Sequence, residues 1–271
     1  MTADPTQKQT VLTVDNVVKV FAGPDGHEHA AVNDVSFALA AGGSLAIVGE
    51  SGSGKTTTAR IVAGLETATS GTVDVEGRVL TGRSRRRTRL ANARLVQMVF
   101  QDPFGSLDPR QSVGAGIREL LAVHFGWGAT QLAERVAALL QQVGLDERHA
   151  NQLPRNLSGG QRQRVAIARA LALEPKILIL DEAVSALDVG VQAQVLNLLS
   201  DIREATGVSY LFVSHDLGVV RQVTDTCIVL NQGAVVESGL TARVLDSPEH
   251  PYTQALLDAV PKPGWKPRRR T

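Results

Sequence analysis

The run GESGSGKT at residues 49–56 carries the residue types that hold phosphate. Gly49, Gly54, Lys55 and Thr56 satisfy G-x-x-x-x-G-K-[ST], and the match follows the strand-like LAIVG and precedes the helix-like TTTARIVAGL, the context in which the pattern has a mechanism. Glycines let successive backbone amides turn inward around phosphate oxygens, and a helix N-terminus adds a positive dipole. Lys55 is placed to reach the β- and γ-phosphates and Thr56 to ligate magnesium, with Glu50, Ser51, Gly52, Ser53 and Thr57 completing the cradle. A chance glycine-rich turn would meet the spacing but not its flanks.

Two further groups complement it. ILILDE at residues 177–182 is an apolar strand that carries two carboxylates out at its C-terminal end, where open α/β sheets bind ligands. Asp181 suits the magnesium shell, and Glu182, one residue on, suits polarising an attacking water as general base. Acidic residues after a strand are also ordinary helix caps, and only the pairing with a phosphate loop favours chemistry. In LSGGQRQR at residues 157–164, Ser158, Gly159, Gly160 and Gln161 open a helix running to Leu173. That makes a second anion-binding helix N-terminus, or else a capped helix start of structural use only.

These groups need a scaffold, and the apolar pattern supplies one. Short β-branched runs at 11–21, 45–49, 72–75, 96–101, 177–181 and 210–214 predict strands. Helical periodicity lies between them, as in Val191, Val195, Leu198 and Ile202 before the stop at Gly207. The alternation predicts an α/β layered core with a largely parallel sheet. From about 102 to 173 the strand signal fades and two or three helices fit, including 132–143 before Gly144, so a helical subdomain is expected there. The first forty residues predict antiparallel strands joined by the turn GPDGHEH at 23–29, where His27 and His29 fit a solvated turn better than a metal site.

Composition sets the outer bounds. A chain of 271 residues, 43% hydrophobic and 20% charged, can bury a sizeable core, which excludes a disordered or fibrous protein. With 28 Lys and Arg against 27 Asp and Glu, the balance of +1 offers no global attraction for nucleic acid. The single Cys227, in the apolar stretch TCIVLN, fits a small buried hydrophobe in a reducing compartment. The segment MTADPTQKQT lacks an apolar signal core, and no run reaches the ~18 apolar residues that span a bilayer. A cytosolic chain is expected unless a partner holds it at a membrane.

With LSGGQRQR lying between the phosphate loop and ILILDE, the chain resembles the ATP-binding-cassette family across nearly its whole length. The resemblance implies a phosphate-loop NTPase fold of the ABC-cassette type: α/β, with a mostly parallel core sheet, an N-terminal antiparallel β-subdomain and an inserted α-helical subdomain. It implies a flexible segment 1–10, an ATPase domain 11–245 and a C-terminal extension with a basic tail at 246–271. Gln101 in VFQDP resembles the glutamine that senses magnesium and γ-phosphate and couples to membrane subunits. SALD, from Ser185 to Asp188, resembles the loop that signals between two cassettes, and His215 in VSHD resembles the switch histidine. Phe21 matches the aromatic that stacks on adenine, although a core phenylalanine fits the same position.

The family works as a dimer in which each ATP lies between one chain's phosphate loop and the other chain's signature helix, so Ser158 and Gly160 are expected to serve the partner's ATP. The implied ligands are ATP and Mg2+. The implied partners are a second cassette, identical or paralogous, two transmembrane permease subunits and, indirectly, an extracellular solute-binding protein, with the chain peripheral on the cytoplasmic face of the membrane. Cassettes acting on DNA or ribosomes carry a long coiled-coil interruption or a tandem cassette, and this sequence has neither.

SPEHPYTQALLDAVP at 247–261, QDPFGSLDPR at 101–110 and VSALDVGVQAQVLNLL resemble the oligopeptide, dipeptide and nickel importer ATPases, with 252–260 read as a docking helix. The tail KPGWKPRRRT lacks the cysteine cluster of longer relatives, and Ala183 and Gly190 stand where many relatives have other residues. The basic clusters at 83–89 and 262–270 are expected to be solvated loops, with anionic lipid or a partner's acidic face as the sharper alternative.

Overall fold

A computed structural model of the chain describes residues 9–23, 27–82, 86–102, 105 and 107–259. The described residues build two sheets. An antiparallel sheet holds β1 (Thr10–Ala22), β2 (Glu28–Ala40), β4 (Ser70–Val75) and β5 (Arg78–Val79) in the order β2-β1-β4-β5. The second sheet runs β10-β9-β3-β8-β7-β6. Its members are β3 (Ser44–Val48), β6 (Val96–Val99), β7 (Ile177–Asp181), β8 (Ser209–Val213), β9 (Thr226–Asn231) and β10 (Ala234–Leu240). All neighbours in it are parallel except the edge pair β9 and β10.

The helices are α1 (Lys55–Val62), α2 (Arg86–Ala93), α3 (Val113–Phe125), α4 (Ala129–Gln142), α5 (Gly159–Leu171), α6 (Val189–Thr206), α7 (Leu217–Val223), α8 (Thr241–Asp246) and α9 (Pro251–Asp258). Between β6 and β7 the described chain is helical, with α3, α4, two 3-10 turns and α5.

Period-two alternation assigns each residue of the parallel strands to one of two cores. Leu45, Ile47, Ile177, Ile179, Leu211, Val213, Ile228 and Leu230 face a core shared with the antiparallel sheet and α1. Their neighbours Ala46, Val48, Leu178, Leu180, Tyr210, Phe212, Cys227 and Val229 face the core that α3 to α7 cover. Strands buried on both faces read as continuous apolar runs, which is why these strands are visible in sequence. Cys227 sits fully buried there, and burial pushes its thiol up to about 11, leaving it an inert space-filler.

Several expectations shift in detail. TCIVLN is a strand, paired with a further edge strand β10 that the apolar pattern did not predict. The expected strand 96–101 stops at Val99. Arg86 to Arg89 of the basic cluster lie in α2 rather than in a loop, although their arginines are solvent-exposed as expected. The rest of that cluster at 83–85, turn residues 24–26, segment 1–8 and the tail from 260 onward lie outside the described residues.

Candidate functional site

The sheet order β3-β8-β7-β6 brings the C-terminal ends of four adjacent strands to one edge, and every expected phosphate-side group emerges there. β3 ends at Val48, the loop turns through Gly49 and Gly54, and α1 begins at Lys55. Both glycines are required by close approach. A Cβ on Gly49 would stand 2.3 Å from the Leu230 carbonyl oxygen, one on Gly54 2.3 Å from that of Ala31, and both residues hold positive φ, 149° and 102°. The ladder of α1 opens with Thr58 N donating to the Gly54 carbonyl, so the amides of Lys55, Thr56 and Thr57 precede it at the loop. Ser53 Oγ is buried in the same cradle with no partner among the described residues.

Lys55 lies only 6% exposed, and its ammonium donates to the carbonyls of Gly49 at 2.9 Å and Glu50 at 2.8 Å. Burial lowers its pKa, opposed by the nearby carboxylates of Glu182, Asp181 and Glu50. Thr56 Oγ1 donates to Asp181 Oδ1 at 3.2 Å. Burial raises the Asp181 pKa, with the Thr56 hydrogen bond acting against it. A hydroxyl beside a carboxylate is the oxygen donor set of a hard cation such as Mg2+, and the residues present fit one. Among the described residues no group of three or more His, Cys, Asp or Glu forms a metal cluster, at His27 and His29 or elsewhere.

Glu182 follows β7 with φ of 48°, a left-handed conformation that costs a non-glycine residue about 1–3 kcal/mol. Its N–H still donates to the Val213 carbonyl, prolonging the ladder, while the turn aims the carboxylate across the strand ends. One oxygen accepts from Gln101 Nε2 at 2.8 Å, and the other lies 3.0 Å from His215 Nδ1. Three residues 81 and 33 positions apart thus meet on one carboxylate. Ser185 Oγ donates to the Glu182 carbonyl at 2.9 Å, which ties the SALD loop to the same residue, and Asp188 caps α6 by accepting from Val191 N at 2.9 Å.

The signature residues form a separate structure. Ser158 caps α5 in a reciprocal box: its Oγ accepts from Gln161 N at 3.2 Å, and Gln161 Oε1 accepts from Ser158 N at 2.9 Å. A Cβ on Gly160 would stand 2.5 Å from Val191 Cγ1, so α5 meets α6 through this glycine. Phe21 is not a core residue: near the end of β1 it is 40% exposed, with Lys19 Nζ 4.6 Å from its ring centroid. One contact had no sequence signal. Glu50 N donates to Tyr252 Oη of α9 at 3.1 Å, across 202 positions of chain.

Comparison with known proteins places this geometry. The ABC transporter family model matches residues 32–185, and the model for the oligopeptide/dipeptide transporter C-terminal region matches residues 236–271. A di/tripeptide transport ATP-binding protein of Pseudomonas aeruginosa is 44% identical over 93% of this chain and 80% of its own length. A glutathione import ATP-binding protein of Pectobacterium atrosepticum is 42% identical over 98% of this chain, which spans 44% of that longer protein. A dimeric ATP-binding cassette solved in a post-hydrolysis state with ADP and Pi superposes with a TM-score of 0.77 at 29% identity, covering 85% of this chain and 98% of that one. No helix among the described residues is long and apolar enough to cross a membrane. The chain belongs to the ABC transporter family, as an ATP-binding cassette that carries the oligopeptide/dipeptide transporter C-terminal region.

Proposed function

We propose that this chain is the ATPase of a peptide importer, hydrolysing ATP to drive uptake of di- or oligopeptides or a related small solute. The observation that carries the reading is the Glu182 carboxylate held between Gln101 and His215, one residue beyond the Asp181–Thr56 pair and beside buried Lys55. In this reading Lys55 and the loop from Gly49 to Thr57 hold the phosphates, and Thr56, Asp181 and Gln101 hold Mg2+. When bound, magnesium neutralises charge on the β- and γ-oxygens.

Glu182 orients and deprotonates the attacking water, and His215 and Gln101 keep its carboxylate aimed. The exposed Phe21 face offers a stacking surface for adenine. Ser158 to Gln161 cap α5 and present its N-terminus to the ATP of a second cassette, identical or paralogous. Two permease subunits, supplied by an extracellular binding protein, receive the motion, which places the chain on the cytoplasmic face of the membrane. The relatives named for di/tripeptides and glutathione support a peptide-like solute over a metal ion.

Glu182→Gln tests the base. ATP binding should persist while turnover falls by about two to three orders of magnitude. Turnover near wild type in that variant would remove Glu182 from the role.

A further inference from the structure

The hydrogen bonds of the phosphate loop lead outward to the C-terminal helix. Tyr252 lies half-buried against the larger core, and its Oη accepts from Glu50 N at 3.1 Å. That N–H belongs to the same peptide group as the Gly49 carbonyl, which accepts from Lys55 Nζ at 2.9 Å. A trans peptide is a rigid plane with its N–H and carbonyl on opposite sides. One plane therefore runs from the Tyr252 hydroxyl to the Lys55 ammonium, and hydrogen bonding at its N–H polarises the amide and strengthens its carbonyl as acceptor.

The helix that carries the hydroxyl is anchored at its start and along its face. Glu237 on β10 accepts from Glu249 N at 2.9 Å and from His250 N at 3.1 Å, one bond to each oxygen. His250 Nδ1 caps α9 by accepting from Tyr252 N at 3.1 Å, and Pro251 occupies the first helical position with its φ already fixed. Leu256 and Leu257 on the same helix pack against the core. Glu237, His250, Pro251 and Tyr252 all lie within 236–271, the span of the oligopeptide/dipeptide C-terminal match.

We infer that Tyr252 is a positioning residue for nucleotide binding: through the Gly49–Glu50 peptide it fixes where the Lys55 ammonium stands, which makes the C-terminal region a working part of the phosphate site. The inference rests on the reading of the loop as the ATP site. Linkage gives it a second face, because nucleotide held by Lys55 must tighten the docking of α9 by the same factor that Tyr252 tightens nucleotide.

Tyr252→Phe in the full chain tests it, since the substitution removes one oxygen and keeps the ring packing. ATP should bind about three- to tenfold more weakly, the scale of one hydrogen bond, with kcat at saturating ATP changed by less than about twofold. Hydrogen exchange at the Glu50 amide should quicken while the melting temperature stays near wild type. Glu237→Gln, which loosens the clamp without touching the loop, should shift ATP affinity in the same direction and by less. Lys55→Ala is measured alongside. If Lys55→Ala loses ATP affinity while Tyr252→Phe keeps it, the positioning role is overturned and the ATP site stands. If Lys55→Ala binds ATP as wild type does, the site reading fails and takes this inference with it.

Discussion

The phosphate loop and the signature helix are both helix N-termini preceded by small residues, yet they are built in opposite ways. At the loop, Thr56 and Glu50 reach distant chain, to Asp181 and Tyr252, while Lys55 turns back onto two loop carbonyls and Ser53 Oγ has no partner among the described residues. At α5 they close on each other, Ser158 with Gln161 in a reciprocal box. The first arrangement leaves buried charge and an orphaned hydroxyl for a ligand to complete within one chain. In the second the capping groups are already paired with each other, and its helix N-terminus is left to something that arrives from outside. On the proposed reading, one molecule carries two unlike halves of a site.

The sharpest way to break that contrast is to remove the charge from one half. Lys55→Ala should lower ATP affinity of the isolated chain by about a hundredfold or more, since charge-assisted contacts to phosphate are the strong ones. Equilibrium binding with a fluorescent ATP analogue checks this. Retained tight binding would mean that this loop does not hold the phosphates, and the contrast between the two helix N-termini would fall with the site.

The opposite half is tested by crowding it. Gly160→Ala would press a methyl to 2.5 Å from Val191 Cγ1 and force α5 away from α6. Binding of ATP to the isolated chain should be unchanged, while turnover of the assembled pair of cassettes falls about tenfold, as a shift of 1.4 kcal/mol gives. Adding Val191→Ala should restore turnover, because the nearest remaining atom, the Val191 Cβ, is 3.8 Å away. A loss of ATP binding in Gly160→Ala alone would show that the halves communicate within one chain.

Which parts were legible follows from how locally each is encoded. β7 coincides with its predicted span because both of its faces are buried, giving an unbroken apolar run. β10 escaped because an edge strand with one solvated face carries AVVESGL, a weak alternation ending in glycine. The stripe expected on α6, Val191, Val195, Leu198 and Ile202, is turned in the structure: the buried residues are Val195, Leu196, Leu199 and Ile202. Val191 is only partly buried, its methyl set against Gly160, a neighbour that periodicity does not know about. The phosphate loop is encoded in eight consecutive positions, so its strand end, glycine turn and helix start are legible together. The Glu182–Gln101–His215 meeting and the Tyr252 bond depend on sheet order and on docking of α9, and no spacing announces them.

The smallest predicted effect concerns stability, where the two halves should differ in sign. Burial raises the Asp181 pKa, so in the ligand-free chain the folded state binds more protons than the unfolded one between the ordinary carboxyl value and the raised one. Stability contributed by this group therefore falls as pH rises through that window, and once ionised the carboxylate is a net cost. Asp181→Asn keeps an acceptor for Thr56 and removes the charge, so the ligand-free melting temperature should rise by about 2 °C at pH 7, by less near pH 4. Ser158→Ala removes a cap that is already satisfied and should lower the melting temperature by about 2–4 °C, the scale of 1 kcal/mol in a chain of this size. Magnesium and ATP together should then raise the wild-type melting temperature but not that of Asp181→Asn. A drop on Asp181→Asn in the ligand-free chain would mean that the carboxylate is stabilising in the fold itself, and the phosphate half would no longer be the one built at the expense of stability.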